Sequence, residues 1–214
     1  MSFDRLAPHY RWLETIAFQN ALQNARSCWV DDIPRPERVL IAGEGNGRFL
    51  SELLRVHPGI NVDCVDASER MLELARARVR RLRPESLGSI RFLHSDIVDW
   101  SPSGSYDLIV THFFLDCFAR EQLGAVVAKL AQAAQPDAVW LLADFTVPQE
   151  NGWMRCHART WLSAMYLFFR CAANLKANEL IDPTPYLEAN GFARTSRRVS
   201  RSGMLKSEMY VASG

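Results

Sequence analysis

The sequence predicts an α/β protein built on a mostly parallel sheet, with helices on both faces and an antiparallel pair of strands closing the chain. Three observations carry this. Apolar runs and helix-patterned segments alternate five times before residue 150. The first run, VLIAGEGNGRF at 39–49, passes straight into glycines at every second position, the form of a strand, a tight turn and a helix. The last two segments alternate polar and apolar residues around Ser202-Gly203, as a hairpin does.

The elements follow in order. Residues 6–30 read as largely helical, with Leu13, Ile16, Ala17, Ala21 and Leu22 on one stripe. Pro34 and Pro36 break the chain before a buried strand at 39–42. Phe49, Leu50, Leu53 and Leu54 give a helical stripe that ends near Pro58-Gly59. A second strand spans 60–65. Ser68 is an N-cap with Glu69 in the first turn, opening a helix to about Leu82. Strands at 90–93 and 106–111 flank the turn-rich SPSGS, a helix covers 121–134, and a fifth strand covers 138–145, ended by Pro148. Residues 152–175 form a long aromatic helix candidate, and 183–190 a short helix closed by Gly191. Strands at 192–200 and 205–212 finish the chain. No repeat or linker interrupts this order.

With 214 residues, 48% of them hydrophobic, the chain suits one large core and is short for two. We expect one domain over 1–214: a helical lid (1–35), a cofactor-binding core (36–150), an acceptor-side helical segment (151–190) and a terminal hairpin (191–214). The formal charge of +1 gives no basic excess for a nucleic-acid partner. The arginines of 76–83 recur at helical spacing and read as a solvated face. The five cysteines, Cys28, Cys64, Cys117, Cys156 and Cys171, form no C-x-x-C pair, so free thiols in a reducing compartment are the expectation and no metal is expected. MSFDRLAPHYRW lacks an apolar signal core and no apolar run is long enough to span a bilayer. A soluble, cytoplasmic protein without an integral membrane segment is the expectation.

Gly43, Gly45 and Gly47 follow G-x-G-x-G. A dinucleotide fingerprint is G-x-G-x-x-G, and Arg48 stands at its third glycine position; no G-K-[ST] follows, so the loop is not a P-loop either. Two acids end the next two strands. Asp66, nineteen residues past Gly47, can accept from ribose hydroxyls, and Asp96 can accept from an exocyclic amine such as that of adenine. Each alone also reads as a helix cap or loop acid. The apolar strand YDLIVTHFF would end at the same crevice.

Together these pieces resemble the class I S-adenosylmethionine-dependent methyltransferases, over most of the chain. FDRLAPHYRW also resembles the opening of ubiquinone/menaquinone C-methyltransferases and their relatives, in which a tyrosine, here Tyr10, helps cover the cofactor. The resemblance implies a Rossmann-like, seven-stranded sheet whose last strand is antiparallel, and S-adenosyl-L-methionine as cofactor. It implies that Gly43, Gly45 and Asn46 meet the methionine part, that Asp66 holds the ribose with Ala67 and Met71 nearby, and that Asp96 holds the adenine amine beside the Ile97 backbone. Thr111 and His112 would lie under the sulfonium. One position departs from the family pattern: the acid usual two residues before the first glycine is Ile41 here. Glu44 is the candidate substitute partner for the cofactor's ammonium; a side chain pointing to solvent is the other reading.

Methyl transfer from a sulfonium needs alignment and exclusion of water, and a base only where the nucleophile sheds a proton. His112 is the candidate base, or a residue that packs on the cofactor. Asp144 and Asp116 fall near strand ends, where either could orient an acceptor or cap a turn. Trp153, His157, Trp161 and Met165 share part of a face on the aromatic segment and suggest a small, apolar or aromatic acceptor; a core helix or a homodimer contact fits that face as well. A cofactor-binding module that acts through a protein partner is the alternative to an enzyme. A nicotinamide-dependent oxidoreductase and a protein or RNA methyltransferase are the remaining readings, disfavoured by Arg48 and by the neutral charge.

Overall fold

A computed structural model describes residues 20–146, 180–200 and 203–213. In chain order the described elements are α1 (Ala21–Ser27), β1 (Arg38–Ala42), α2 (Arg48–Val56), β2 (Asn61–Asp66), α3 (Glu69–Leu82), β3 (Ile90–His94), β4 (Tyr106–His112), α4 (Arg120–Gln132), β5 (Ala134–Phe145), α5 (Thr184–Ala189), β6 (Phe192–Ser200) and β7 (Leu205–Ala212). The 6–19 part of the first expected helix, the expected aromatic helix at 152–175 and part of the Ser202-Gly203 turn lie outside the described residues.

The sheet has seven strands in the order β3-β2-β1-β4-β5-β7-β6. β3, β2, β1, β4 and β5 pair parallel, and β7 runs antiparallel between β5 and β6. The expected closing pair is therefore threaded: β7 inserts beside β5, and only that last strand runs against the others. β6 is left on the edge, where Arg194, Arg197 and Arg198 discourage pairing with another chain.

Alternation along β1 shows how the core divides. Val39 and Ile41 face one layer with Phe49, Leu50, Leu53, Leu54, Leu72 and Val79 from α2 and α3. Leu40 and Ala42 face the other, with Leu123, Val126, Val127 and Leu130 from α4 and Leu187 from α5. A strand covered on both sides has no polar face, which is why β1 reads as an unbroken apolar run. Ser68 caps α3 as expected, its hydroxyl accepting from the Met71 N–H at 3.2 Å. β5 begins four residues earlier than its apolar run suggests. Gln135-Pro136-Asp137 reads as a turn, yet it continues the strand through a register shift against Tyr106/Leu108 and a positive φ of 61° at Asp137.

Parallel pairing brings the C-terminal ends of β1, β2, β3, β4 and β5 to one edge, and the strand order reverses between β1 and β4. That reversal opens the crevice where such sheets bind ligands.

Candidate functional site

The loop after β1 carries Gly43, Gly45 and Gly47 at φ 71°, 68° and 78°, a region that costs side-chain-bearing residues strain. The three do different work. A Cβ on Gly43 would stand 2.4 Å from the Phe114 ring, and one on Gly47 would stand 2.7 Å from the Ala75 Cα of α3. Those two let the loop pack. Among the described residues a Cβ on Gly45 would meet nothing within 4 Å, so there the main chain lies open to a ligand. The loop is held from outside as well: the Gly43 N–H donates to the Val65 carbonyl at 2.9 Å, and Arg78 Nε donates to the Asn46 carbonyl at 2.9 Å.

Glu44 does not point to solvent. Its Oε1 accepts from the Leu50 N–H at 3.0 Å, closing an open donor in the first turn of α2, a job the left-handed Gly47 N-cap has no side chain to do. Burial pushes its carboxyl from 4.5 up to about 7, against the partial offset of the Leu50 N–H and of Arg26, with Asp66 adding to the rise. A raised acid of this kind contributes stability that is complete below about pH 4.5 and is lost as pH rises through about 7. Thermal unfolding of wild type and Glu44→Gln from pH 5 to 8 checks this: the wild-type Tm is expected to fall relative to the variant's as pH rises, and parallel curves would contradict it.

Arg26, from α1, is a site residue that sequence reasoning missed. It is buried, lies 5.0 Å from the centroid of the Phe113 ring, and acts electrostatically on both Glu44 and His112. A single arginine in a helical pattern carries no signal of this.

Asp66 ends β2. Its Oδ2 accepts from the Gly45 N–H at 3.1 Å and its Oδ1 from the Ser68 N–H at 2.9 Å. A carboxylate has about four acceptor sites, so one that orients a loop can also accept from hydroxyls. Ala67 is exposed beside it, and Met71 is buried in the first turn of α3. Asp96 is exposed after β3, with Oδ1 accepting from the Val98 N–H at 3.0 Å; Ile97 is buried and its carbonyl accepts from Lys129 Nζ at 3.2 Å. These groups stand after the C-terminal ends of β1, β2 and β3, at one edge of the sheet.

The end of β4 divides. Thr111 turns to the α4 side, its hydroxyl accepting from Trp140 Nε1 at 2.8 Å. His112 turns to the α2 side, edge-on to Phe49 at 4.5 Å, with its Nδ1 buried and without a hydrogen-bond partner among the described residues. Burial, then Arg26, holds its imidazole well below the usual range, so the ring is neutral at neutral pH. Asp144 projects to the Thr111 side of the sheet, the side of Trp140 and Leu142, so His112 and Asp144 do not form one acid–base pair. Tyr10, Trp153, His157, Trp161 and Met165 lie outside the described residues. Among the described residues no group of three or more His, Cys, Asp or Glu is placed to hold a metal ion, and no helix is long and apolar enough to cross a membrane.

The reversed strand order and the glycine loop belong to a class of parallel sheets that bind ligands at the C-terminal ends of their strands. A family model described as "Methyltransferase domain" matches residues 39–137. The chain is 31% identical over 106 residues to trans-aconitate 2-methyltransferase of Acidovorax sp. (strain JS42), covering 50% of this chain and 37% of that protein. It is 32% identical over 78 residues to malonyl-[acyl-carrier protein] O-methyltransferase of Paenibacillus sp. (strain JDR-2), covering 35% and 27%. The chain thus spans about a third of the length of these curated relatives. Among solved structures, magnesium protoporphyrin IX methyltransferase from Synechocystis PCC 6803, with bound S-adenosylhomocysteine, superposes with a TM-score of 0.69 at 19% identity over 99% of this chain and 97% of that one. An O-methyltransferase family protein from Burkholderia thailandensis gives a TM-score of 0.72 at 19% identity over 97% and 60%. Residues 39–137 thus resemble a methyltransferase domain, and the described sheet has the fold of the solved methyltransferases. S-Adenosylmethionine is the cofactor these similarities imply, and S-adenosylhomocysteine is bound in the Synechocystis structure; the bare main chain at Gly45 leaves room for such a ligand.

Proposed function

We propose that this protein transfers a methyl group from S-adenosylmethionine to a small molecule. The observation that carries the reading is the open main chain at Gly45, with Asp66 bonded to its N–H and Asp96 at the next strand end. When bound, the cofactor supplies a methyl group already activated by its sulfonium. The chain's own residues bind and orient. Gly43, Gly45 and Asn46 offer main chain to the methionine part, with Arg26 and Glu44 presenting opposite charges for its carboxylate and ammonium. Asp66 accepts from the ribose beside Ala67 and Met71, and Asp96 with the Ile97 backbone receives the adenine amine. His112, neutral and packed on Phe49, borders the reactive end near Thr111. We assign the acceptor side, with Tyr10, Trp153, His157, Trp161 and Met165, to an apolar or aromatic molecule. The free thiols of Cys28, Cys64 and Cys117 suit a cytoplasmic location.

The test is methyl incorporation from labelled S-adenosylmethionine into a cell extract separated into small molecules and macromolecules. Label in the small-molecule fraction is the expected result. Label confined to protein or RNA, or no label at all, would contradict the reading.

A further inference from the structure

A pair of buried carboxylates stands at the same sheet edge and has no part in holding the cofactor. Asp144, at the end of β5, has no solvent exposure, and Asp116, in the turn after β4, is almost as enclosed. Adjacency of β4 and β5 brings the two elements together, and the Phe113 N–H donates to the Ala143 carbonyl at 2.7 Å. Asp144 Oδ1 accepts from the Phe145 N–H at 2.8 Å, while Oδ2 is buried without a hydrogen-bond partner among the described residues. A buried carboxylate oxygen left unpaired is costly unless something else completes it.

The neighbouring cation does not complete it. Lys206, opposite Asp144 on β7, directs its Nζ to Asp182 Oδ1 at 2.7 Å and Glu208 Oε2 at 3.2 Å. Glu208 is further held by Arg194 at 2.9 Å, Arg197 at 3.3 Å and the Tyr210 hydroxyl at 3.0 Å. This network fixes the floor and leaves Asp144 Oδ2 over. The pair also sits by the cofactor crevice. The Cys117 thiol, 3.6 Å from Asp116 Oδ1, lies within electrostatic reach of Asp116, Asp144 and Asp66 alike.

We propose that Asp144, backed by Asp116, meets the methyl acceptor: Oδ2 accepts a hydrogen bond from an acceptor nitrogen or oxygen that carries a proton. The acceptor is then an amine, a phenol or another hydroxyl on an apolar body. As its heteroatom gains the methyl group, the carbon–sulfur bond breaks with its electron pair left on sulfur, and the shed proton passes to Asp144. Burial, Asp116 and Glu208 raise this carboxyl's titration, and Lys206 and the Phe145 N–H lower it, with the Cys117 thiol within electrostatic reach. Asp144 must be ionised to accept, so activity is present above its titration and lost on acidification.

This inference rests on the small-molecule reading, and the test separates the two. Wild type and Asp144→Asn are compared for label in the small-molecule fraction, with S-adenosylhomocysteine titration as the control for an intact cofactor site. A loss of at least about a hundredfold with retained titration is expected, in a product methylated on nitrogen or oxygen. If Asp144→Asn does not fold, Asp116→Asn decides. Removing that neighbouring charge is expected to move the acid limb of the rate profile to lower pH, and an unmoved limb would overturn the inference. Undiminished label in Asp144→Asn, or a carbon-methylated product, would overturn it while the small-molecule reading stands. Absence of small-molecule label in wild type would remove both.

Discussion

Asp66→Ala is expected to bind S-adenosylhomocysteine roughly a hundredfold more weakly than wild type, about 2.7 kcal/mol. The size follows from two losses at one residue. Oδ2 orients the Gly45 N–H and Oδ1 the Ser68 N–H, so the substitution frees two main-chain donors at the crevice. It also removes the acceptor we assign to the ribose hydroxyls, and hydrogen bonds to a charged group contribute about 1.5–3 kcal/mol. Asp66→Asn keeps one acceptor oxygen and is expected to fall between. Calorimetric titration of the three proteins reads this directly. An Asp66→Ala affinity within a factor of about three of wild type would remove Asp66 from the site.

Gly47→Ala is expected to lower folding stability by about 2–4 kcal/mol, combining left-handed strain with overpacking. The added Cβ would meet the Ala75 Cα at 2.7 Å and its Cβ at 3.0 Å, and α3 has no side-chain torsion there with which to give way. Gly45→Ala is the matched comparison. Its φ of 68° is nearly the same but its Cβ enters open space, so only the backbone strain of about 1 kcal/mol applies. Urea unfolding should therefore rank Gly47→Ala well below Gly45→Ala in stability and reverse them in cofactor affinity. Equal midpoints would contradict the separate roles given to the two glycines.

The parts of this fold legible in the sequence are those fixed by local pattern. β1 to β4, the Ser68 cap and the glycine loop each follow from a few neighbouring residues, and they lie within one or two residues of where the pattern puts them. What stayed illegible depends on contacts across the sheet. The insertion of β7 between β5 and β6 is a choice among long-range pairings that a hairpin pattern does not contain. The start of β5 is hidden because Pro136-Asp137 signals a turn, and only pairing with Tyr106 makes it strand. Thr111 and His112 are neighbours in sequence and look like one feature, but the period of two in a strand sends them to opposite faces. Arg26 and the Asp116–Asp144 pair become visible only once α1 lies against the loop and β4 lies beside β5. Glu44 was legible as an anomaly. Its role as the acceptor for the Leu50 N–H needed the turn that Gly45 and Gly47 make.

A nucleoside cofactor is expected to descend onto the main chain at Gly45. Calorimetric titration with S-adenosylmethionine and S-adenosylhomocysteine, with NAD as the control, tests that most directly. The prediction is micromolar binding of the first two, on the order of −8 kcal/mol, and none of NAD. Binding of neither sulfur compound, or preference for NAD, would contradict it.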